Sequence, residues 1–168
     1  MESYFLRIKA EIKGESKSAE GNRIALLSWS QSITLPGTNI IDPSAKTGRA
    51  EFSHLQISKY LDSTTPVLNQ YTASTTNFKS AVLTVYMNDK DTGTPIEYYS
   101  IEMEDILITS MSVRAEIGGR IVETLTLRFL KIKWNYTQQQ QPLLQQQKKD
   151  SPSPTKITGT WNLEKNTK

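Results

Sequence analysis

The chain has 168 residues, of which 36% are hydrophobic, and a length of this order suits one domain with a single core. It contains no cysteine, which excludes disulfide bonds and thiolate metal sites. The formal net charge is +3, but the basic residues alternate with acidic ones instead of forming a dense run. This pattern is typical of a solvated protein surface and argues against a nucleic-acid-binding face.

No stretch of the sequence looks like a targeting or membrane segment. The N-terminal residues "MESYFLRIKAEIKGES" lack the unbroken apolar core of a signal peptide. No segment approaches the roughly 18 apolar residues that a membrane-spanning helix needs. We therefore expect a protein that is made and folded in the cytosol and does not insert into a membrane.

The hydrophobic pattern has a period of two along most of the chain, which predicts β-strands. In the first predicted strand Tyr4, Leu6 and Ile8 alternate with polar residues, so one face lies in a core and the other in water. Turn-forming stretches separate the later runs, which favours an antiparallel sandwich or barrel. The further predicted strands are 23–35, 50–60, 80–87, 96–103, 106–113, 121–136 and a short one at 158–163.

One segment, "DSTTPVLNQYTA", predicts a short helix packed against the barrel. Thr65 is a suitable N-cap and Pro66 a suitable first helical residue, because the missing proline N–H costs nothing there. Val67, Leu68 and Tyr71 then share one face at helical spacing. The alternative interpretation of this segment is an irregular loop.

The stretch "TLRFLKIKWNYTQQQQ" contains a change of phase. Apolar residues occupy odd positions up to Phe129 and even positions from Leu130 to Tyr136. A β-bulge adds one residue to a strand, so it would produce this slip and bend the strand at a barrel corner. The alternative is that Leu130 is simply an exposed apolar residue. The residues expected to face water are Thr124, Thr126 and Arg128 before the slip and Lys131, Lys133 and Asn135 after it.

Candidate catalytic and metal-binding groups do not form a convincing set. His54 is the one histidine of the chain, and a surface or structural role is the better interpretation. Asp89 and Asp91 with Gly93 resemble part of a calcium loop but lack its remaining ligands, so a hairpin turn explains them better. The acidic residues in 102–105 are interpreted as a solvated face. We expect no enzymatic activity, no metal and no cofactor.

Several blocks of sequence, in order, resemble the haemolysin-coregulated protein (Hcp) family, which forms the inner tube of the type VI secretion system of Gram-negative bacteria. The resemblance covers nearly the whole chain, from Phe5 to Asn166. The blocks are "IKGESKSAEGNRIALLSWS", "LQISKYLDSTTPVLNQY", "IEYYSIEMEDILITSMSV", "ETLTLRFLKIKWNYTQQ" and "GTWNLEKN".

The resemblance implies a fold and an assembly. It implies a mainly β protein: a two-sheet antiparallel β-barrel with one short flanking α-helix, related to phage tail-tube proteins. Residues 1–168 would form a single tube domain, with a mobile Gln/Pro-rich loop at about 138–156. Six copies would form a ring, and rings would stack into a tube that carries effectors in its lumen and leaves the cell through the type VI machine.

The resemblance also implies partners and contact residues. The expected partners are other copies of the chain, a VgrG-type spike protein, the contractile sheath and small effector proteins, with no nucleic acid. Trp29 and Ser30 are the candidate lumen and effector contacts, although Trp29 could equally lie in the core. The long loop 36–49 is the candidate ring-stacking element, since it exceeds a tight hairpin turn and has an apolar tip. Its candidate contact residues are Ile40, Ile41, Asp42 and Pro43.

Three other functions are kept as alternatives. A closed β-barrel could bind a small ligand in the lipocalin manner, with a cavity in place of a packed interior. A phage tail-tube protein would share the fold and the ring. A hydrolase is the weakest alternative. The mass of the protein in solution separates a ring from a monomeric binder.

Overall fold

A computed structural model describes residues 2–8, 12, 14, 22–36, 49–89, 93–138 and 155–167. The fold is mainly antiparallel β with one helix, as the sequence predicts. The elements are β1 (Glu2–Ile8), β2 (Ile24–Leu26), β3 (Ser28–Ser30), β4 (Ile33–Thr34), β5 (Glu51–Phe52), β6 (Leu55–Tyr60), α1 (Thr65–Ala73), β7 (Phe78–Asn88), β8 (Pro95–Arg114), β9 (Val122–Arg128), β10 (Lys131–Thr137) and β11 (Lys156–Asn162).

The strands form two layers that share β8. In the first layer, called sheet A, β2, β1 and β7 lie on one side of β8, and β10 and β11 lie on the other. In the second layer, called sheet B, the order is β8, β9, β6 and β3. The short strands β4 and β5 pair only with each other. Every ladder is antiparallel, in agreement with the local turns of the sequence.

The predicted strands 96–103 and 106–113 are one strand of 20 residues, β8. Its first half pairs with β7 and β10, and its second half pairs with β9. Asp105, between the two halves, has a φ of 53°, a left-handed conformation that redirects the backbone. The two predicted strands therefore belong to different sheets although the chain between them does not leave the β-structure.

The phase slip in 121–136 is real, but the predicted bulge within one strand is wrong. The chain forms two strands, β9 and β10, separated by Phe129 and Leu130. β9 belongs to sheet B and β10 to sheet A, so the slip marks the corner where the chain crosses between layers. The Leu130 N–H donates to the Glu104 carbonyl, which fixes this corner beside the bend of β8. The register shifts lie elsewhere, between Val85 and Tyr86 and between Ile108 and Ser110.

The strand boundaries near the N-terminal third also differ from the prediction. The predicted strand 23–35 is divided into β2, β3 and β4, because the chain passes from sheet A to sheet B at Leu27. The predicted strand 50–60 is divided into β5 and β6. Period two is a local property, and it does not show where a strand changes partner.

The helix is present, but its predicted start is wrong by one residue. Its N-cap is Thr64, and α1 begins at Thr65. The Thr65 hydroxyl is used elsewhere: it donates to the Glu123 carboxylate and accepts from the Asp62 N–H. Because that hydroxyl points into the protein, it cannot cap the helix.

The predicted apolar face of α1 is partly correct. Leu68 is fully buried, and the Tyr71 ring stacks on Phe78 of β7 with centroids 4.8 Å apart. Val67, predicted on the same face, is exposed. The helix therefore packs through a narrower stripe than its sequence suggests.

The space between the two sheets is filled by apolar side chains from both layers. Burying such a side chain contributes roughly 1.5–3 kcal/mol relative to leaving it exposed, so this interior provides most of the stabilisation. A packed interior is also what a small-ligand barrel lacks. The buried apolar residues are Leu6, Ile8, Ile12, Ile24, Leu26, Leu55, Ile57, Leu68, Phe78, Ala81, Leu83, Val85, Ile101, Met103, Ile106, Ile108, Leu125, Leu127, Phe129 and Ile132.

No helix among the described residues is long and apolar enough to cross a membrane. The one helix they contain, α1, has nine residues, far fewer than the roughly 20 that cross a bilayer.

Candidate assembly surface

The face of sheet B that points away from sheet A is covered by short uncharged polar side chains. Alternation along each strand places these side chains on one surface, while their neighbours in sequence enter the core. The ladder registers align them in two rows. The first row is Ser28, Ser58, Thr124 and Ser112, and the second is Ser30, Gln56, Thr126 and Ser110.

These rows are connected by the ladders beneath them and by side-chain contacts. The hydroxyls of Ser28 and Ser58 are 2.7 Å apart and hydrogen-bonded. No described element of the fold covers the rows; the helix lies on the other side of the sheet, where Thr65 contacts Glu123. Sheet B thus presents a polar surface to the outside. We call it the hydroxyl face.

Both edges of sheet B lack a partner strand among the described residues. β3 pairs with β6 on one side only. The second half of β8 pairs with β9, while its other side carries no ladder beyond the corner. Unpaired strand edges present free N–H and C=O groups and are ready to pair with another chain. Sheet B therefore has two edges that a neighbouring copy can extend.

The two predicted lumen residues lie on opposite faces of β3. The Trp29 ring points inward and stacks on Tyr99 of sheet A, with centroids 6.1 Å apart. Ser30 is exposed and belongs to the hydroxyl face. Adjacent residues of a strand point to opposite faces of the sheet, so Ser30 lies on the outward face and Trp29 on the inward one.

The predicted stacking residues Ile40, Ile41, Asp42 and Pro43 lie outside the described residues. The base of their loop is described. β4 and β5 pair there, and the Ser53 N–H donates to the Ser32 carbonyl. The Phe52 ring of β5 stacks against both Trp134 and Trp161, with centroids 6.2 and 6.1 Å away. The base of the loop is therefore anchored on the inner side of sheet A.

A buried ionic cluster joins sheet B to α1. Lys59 and Glu123 lie opposite each other on β6 and β9 and are both 0% exposed, with Nζ 2.7 Å from Oε2. Lys59 Nζ is also 2.8 Å from Oδ1 of Asp62. The Thr65 hydroxyl donates to Glu123 Oε2 at 2.9 Å. Lys59 and the Thr65 hydroxyl both contact Glu123 Oε2, whereas Glu123 Oε1 is buried with no hydrogen-bond partner among the described residues. The cluster links the helix to the sheet through Oε2.

The Asp62 carboxylate accepts hydrogen bonds from the Lys59 ammonium and from the N–H and hydroxyl of Thr64. Burial raises the pKa of Asp62, but these hydrogen bonds and the nearby Lys59 charge outweigh burial and hold the pKa below its usual value. The carboxylate is therefore ionised in the folded protein.

The outward face of sheet A carries charges that are paired across strands. Lys131 Nζ lies 2.7 Å from Glu104, and Lys133 Nζ lies 3.2 Å from Glu102. The hydrogen bond to Glu104 raises the pKa of Lys131. Burial acts to raise the pKa of Glu102, but the hydrogen bonds from Asn135 and Lys133 hold it below its usual value.

The prediction that Asn135 faces water is wrong. Its side chain is buried, because it donates to Glu102 at 2.8 Å and accepts from the Thr158 hydroxyl at 3.0 Å. β11, predicted as a short strand at 158–163, pairs beside this part of β10 and places Thr158 directly opposite Asn135, a neighbour that the alternation along β10 does not reveal. Lys133 is only partly exposed for the same reason.

The groups that sequence analysis considered for chemistry are not brought together. His54 is exposed, and its Nδ1 lies 3.5 Å from the Thr109 hydroxyl. Asp89 sits in a turn in which its carbonyl accepts from the Gly93 N–H at 3.0 Å. Within the described ranges, no three His, Asp or Glu side chains are grouped as metal ligands would be.

The hydroxyl face, as a unit, could not be found from the sequence alone. Its signal is present in the stretches "SWS", "TLT" and "SMS", where Ser or Thr alternates with large apolar residues. Each stretch alone predicts only an ordinary half-buried strand. The surface appears once the ladder registers place the stretches side by side.

The sequence model of the family described as "Type VI secretion system effector, Hcp" matches residues 5–136. The chain is also similar to the protein hcp1 of Pseudomonas aeruginosa, with 28% identity over 164 residues, covering 96% of this chain and 95% of the relative.

Solved structures with the same fold include Hcp1 from Salmonella typhimurium, with a TM-score of 0.76 and 23% identity over 99% of this chain and 97% of that one. The structure described as a type six secretion system protein has a TM-score of 0.85 and 19% identity, and 99% of each chain is covered. At these identities the likeness is one of fold.

Proposed function

The chain belongs to the Hcp family of type VI secretion proteins and is a structural tube subunit, and from this premise we propose how its surfaces assemble. Six copies form a closed ring in which the β3 edge of one copy meets the second half of β8 in the next. The observation that supports this arrangement is the pair of unpaired edges on opposite sides of sheet B.

The geometry of these edges favours a ring over a two-fold dimer. The two edges are different surfaces, so their contact is heterologous, and a heterologous contact repeats around a rotation axis until it closes. The two edges also lie on opposite sides of the same sheet. Joining them makes one continuous β-surface around the axis, and neither edge of sheet B is left in water.

The hydroxyl face then forms the inner wall of the ring. It is the uncovered face of the sheet that closes around the axis, and its Ser, Thr and Gln side chains are polar enough to remain hydrated. Ser30 is our candidate wall contact for effectors, whereas Trp29 supports the wall from inside the subunit. We expect Ser30→Gln to keep the ring intact and to weaken the retention of an effector.

Rings stack through the loop 36–49, with Ile40, Ile41, Asp42 and Pro43 as the contact residues. The anchoring of its base by Phe52 supports this role, because an anchored base gives the loop a defined starting direction. The further partners are a VgrG-type spike, the contractile sheath and small effectors. The protein is made in the cytoplasm, leaves through the type VI machine and performs no catalysis.

The ring contact can be tested with engineered cysteines, because the chain has none of its own. Ser28 and Ser112 occupy the two edges of one row, three strand spacings apart. That separation is about 14 Å, whereas a disulfide needs Cα atoms within about 7 Å, so a bond within one subunit is impossible. We expect Ser28→Cys combined with Ser112→Cys, or with Ser110→Cys, to form a disulfide between subunits.

The readout is a non-reducing gel after mild oxidation. At least one of the two double variants should give a ladder of covalent species that ends at the hexamer. Ser28→Cys alone is the matched control and should stay monomeric on the gel. A ladder that stops at the dimer, or no crosslinking in either double variant, would contradict the edge-to-edge ring.

A further inference from the structure

The hydroxyl face is bounded at both ends by arginines. Arg128 continues the row direction of Thr124 and Thr126 at the end of β9 nearest the corner. At the opposite end, Arg114 closes β8, and the Arg120 guanidinium lies over the Tyr60 ring, 3.8 Å from its centroid. The two ends are separated by six residues of β9, or about 20 Å.

These arginines are poorly compensated by acidic groups. In the part of the chain that the structure describes, Arg128 has no ion-pair or hydrogen-bond partner, and the outward rows of sheet B contain no carboxylate. Arg114 is paired with Glu116, but both side chains are largely exposed, at 81% and 65%. That pair adds no net charge, so the positive excess comes from Arg120 at this end and from Arg128 at the other.

Two of the outward lysines of sheet A are paired. Lys131 and Lys133 each face a glutamate on the neighbouring strand at 2.7 and 3.2 Å. Arg128, at the corner end of the hydroxyl face, has no such partner among the described residues.

We propose that the arginine-bounded hydroxyl face binds acidic polypeptides. This inference rests on the proposed ring, in which six copies of each arginine would form a positive band at each mouth of the lumen. The uncharged hydroxyl rows between the mouths offer hydrogen bonds but no cation that would bind a carboxylate tightly at one position. An acidic chain would be attracted at the mouths and would move along a wall that does not trap it.

The aromatic content of the face favours a polypeptide over a single-stranded nucleic acid. Sites for single strands combine positive charge with exposed aromatic rings on which bases stack. Tyr60 is the one aromatic residue in the outward rows of the described sheet, and the Arg120 guanidinium covers its ring. A base would have to displace that guanidinium.

The test measures the fluorescence anisotropy of labelled poly-L-glutamate titrated with the purified protein. We expect Arg128→Gln, and separately Arg114→Gln combined with Arg120→Gln, to weaken binding about tenfold, since the loss repeats in every subunit. Wild-type binding should also weaken as salt rises, because exposed charges are screened over about 10 Å at 0.1 M. Lys79→Gln removes an exposed charge from β7 of sheet A, and this matched control should bind like the wild type.

The outcomes separate this inference from the ring itself, because light scattering on the same samples gives the oligomeric mass. Ring-sized wild type that does not bind poly-L-glutamate, or arginine variants that bind as tightly as Lys79→Gln, overturns the inference and leaves the ring standing. Tighter arginine-dependent binding of single-stranded DNA of equal length also overturns it. A monomeric mass refutes the ring, and the comparison of arginine and lysine variants then still decides whether this face binds acidic chains.

Discussion

At the scale of single residues, the buried pair Lys59–Glu123 should dominate the effects of charge substitutions. Removing one member leaves the other charged and buried, which typically costs 3–5 kcal/mol. We expect Lys59→Met to lower the free energy of unfolding by about 3 kcal/mol or more. Adding Glu123→Leu should restore a large part of that loss, because the orphaned carboxylate is then removed.

The measurement is urea denaturation of the two single variants and the double variant. Lys131→Met is the control, since it breaks the exposed pair with Glu104 and should cost less than about 1 kcal/mol. Equal losses for Lys59→Met and Lys131→Met would show that the buried cluster does not stabilise the fold as its geometry suggests.

Asp62 gives this cluster a pH dependence with a definite sign. Its pKa is depressed in the folded state, so the unfolded chain takes up the proton first as the pH falls. The stabilisation is complete above the ordinary aspartate pKa of about 3.9 and is lost as the pH falls through the lower folded value. We expect Asp62→Asn to melt well below the wild type at pH 7, and the difference to shrink as the pH falls further below the ordinary aspartate value of about 3.9. A melting difference that stays constant throughout the acidic range would contradict the assignment.

At the scale of elements, the sequence was most informative where alternation or helical spacing extended over a whole strand or helix. It correctly predicted β1, β7, α1 and the phase slip at Phe129, because burial of one face imposes a period that can be read locally. It did not show that β8 belongs to both sheets, or that residues 23–35 change layers. Those features depend on which strands become neighbours.

The candidate site was less predictable than the fold for the same reason. Ser30 could be singled out through the family resemblance, but Trp29 could not be assigned to a face until its stacking on Tyr99 was seen. Likewise, the arginines that bound the hydroxyl face are far apart in sequence. Arg114 and Arg128 become parts of one surface only through the β8–β9 ladder.

The segment that connects β10 to β11 should tolerate replacement, because the two strands already bring its ends together. The Gln138 N–H donates to the Thr155 carbonyl at 3.0 Å, so the two ends of the glutamine-rich segment 139–154 are already adjacent. A short Gly/Ser loop replacing it should therefore keep the fold. Trp161→Asp should lower the melting temperature strongly, because it places a charge between Phe52 and the sheet. Equal melting temperatures for the two variants would contradict this prediction.

At the scale of the whole molecule, the proposal separates ring formation from ring stacking. Ring formation uses the edges of sheet B, whereas stacking uses the loop 36–49. Ile40→Asp combined with Ile41→Asp should therefore leave a soluble hexamer while preventing tube growth and secretion, because a charged tip resists burial against the next ring. Light scattering and secretion assays check the two parts separately. If the double variant forms tubes and is secreted like the wild type, the loop is not a stacking element. If the variant is monomeric, the loop belongs to the contact within the ring.

In the proposed assembly, this β-fold is one sixth of a ring built by joining the two free edges of sheet B. The light-scattering mass of the purified protein at high micromolar concentration tests this assembly. We expect a single species with six times the 19.0 kDa mass of the chain. A strictly monomeric mass under the same conditions would contradict it.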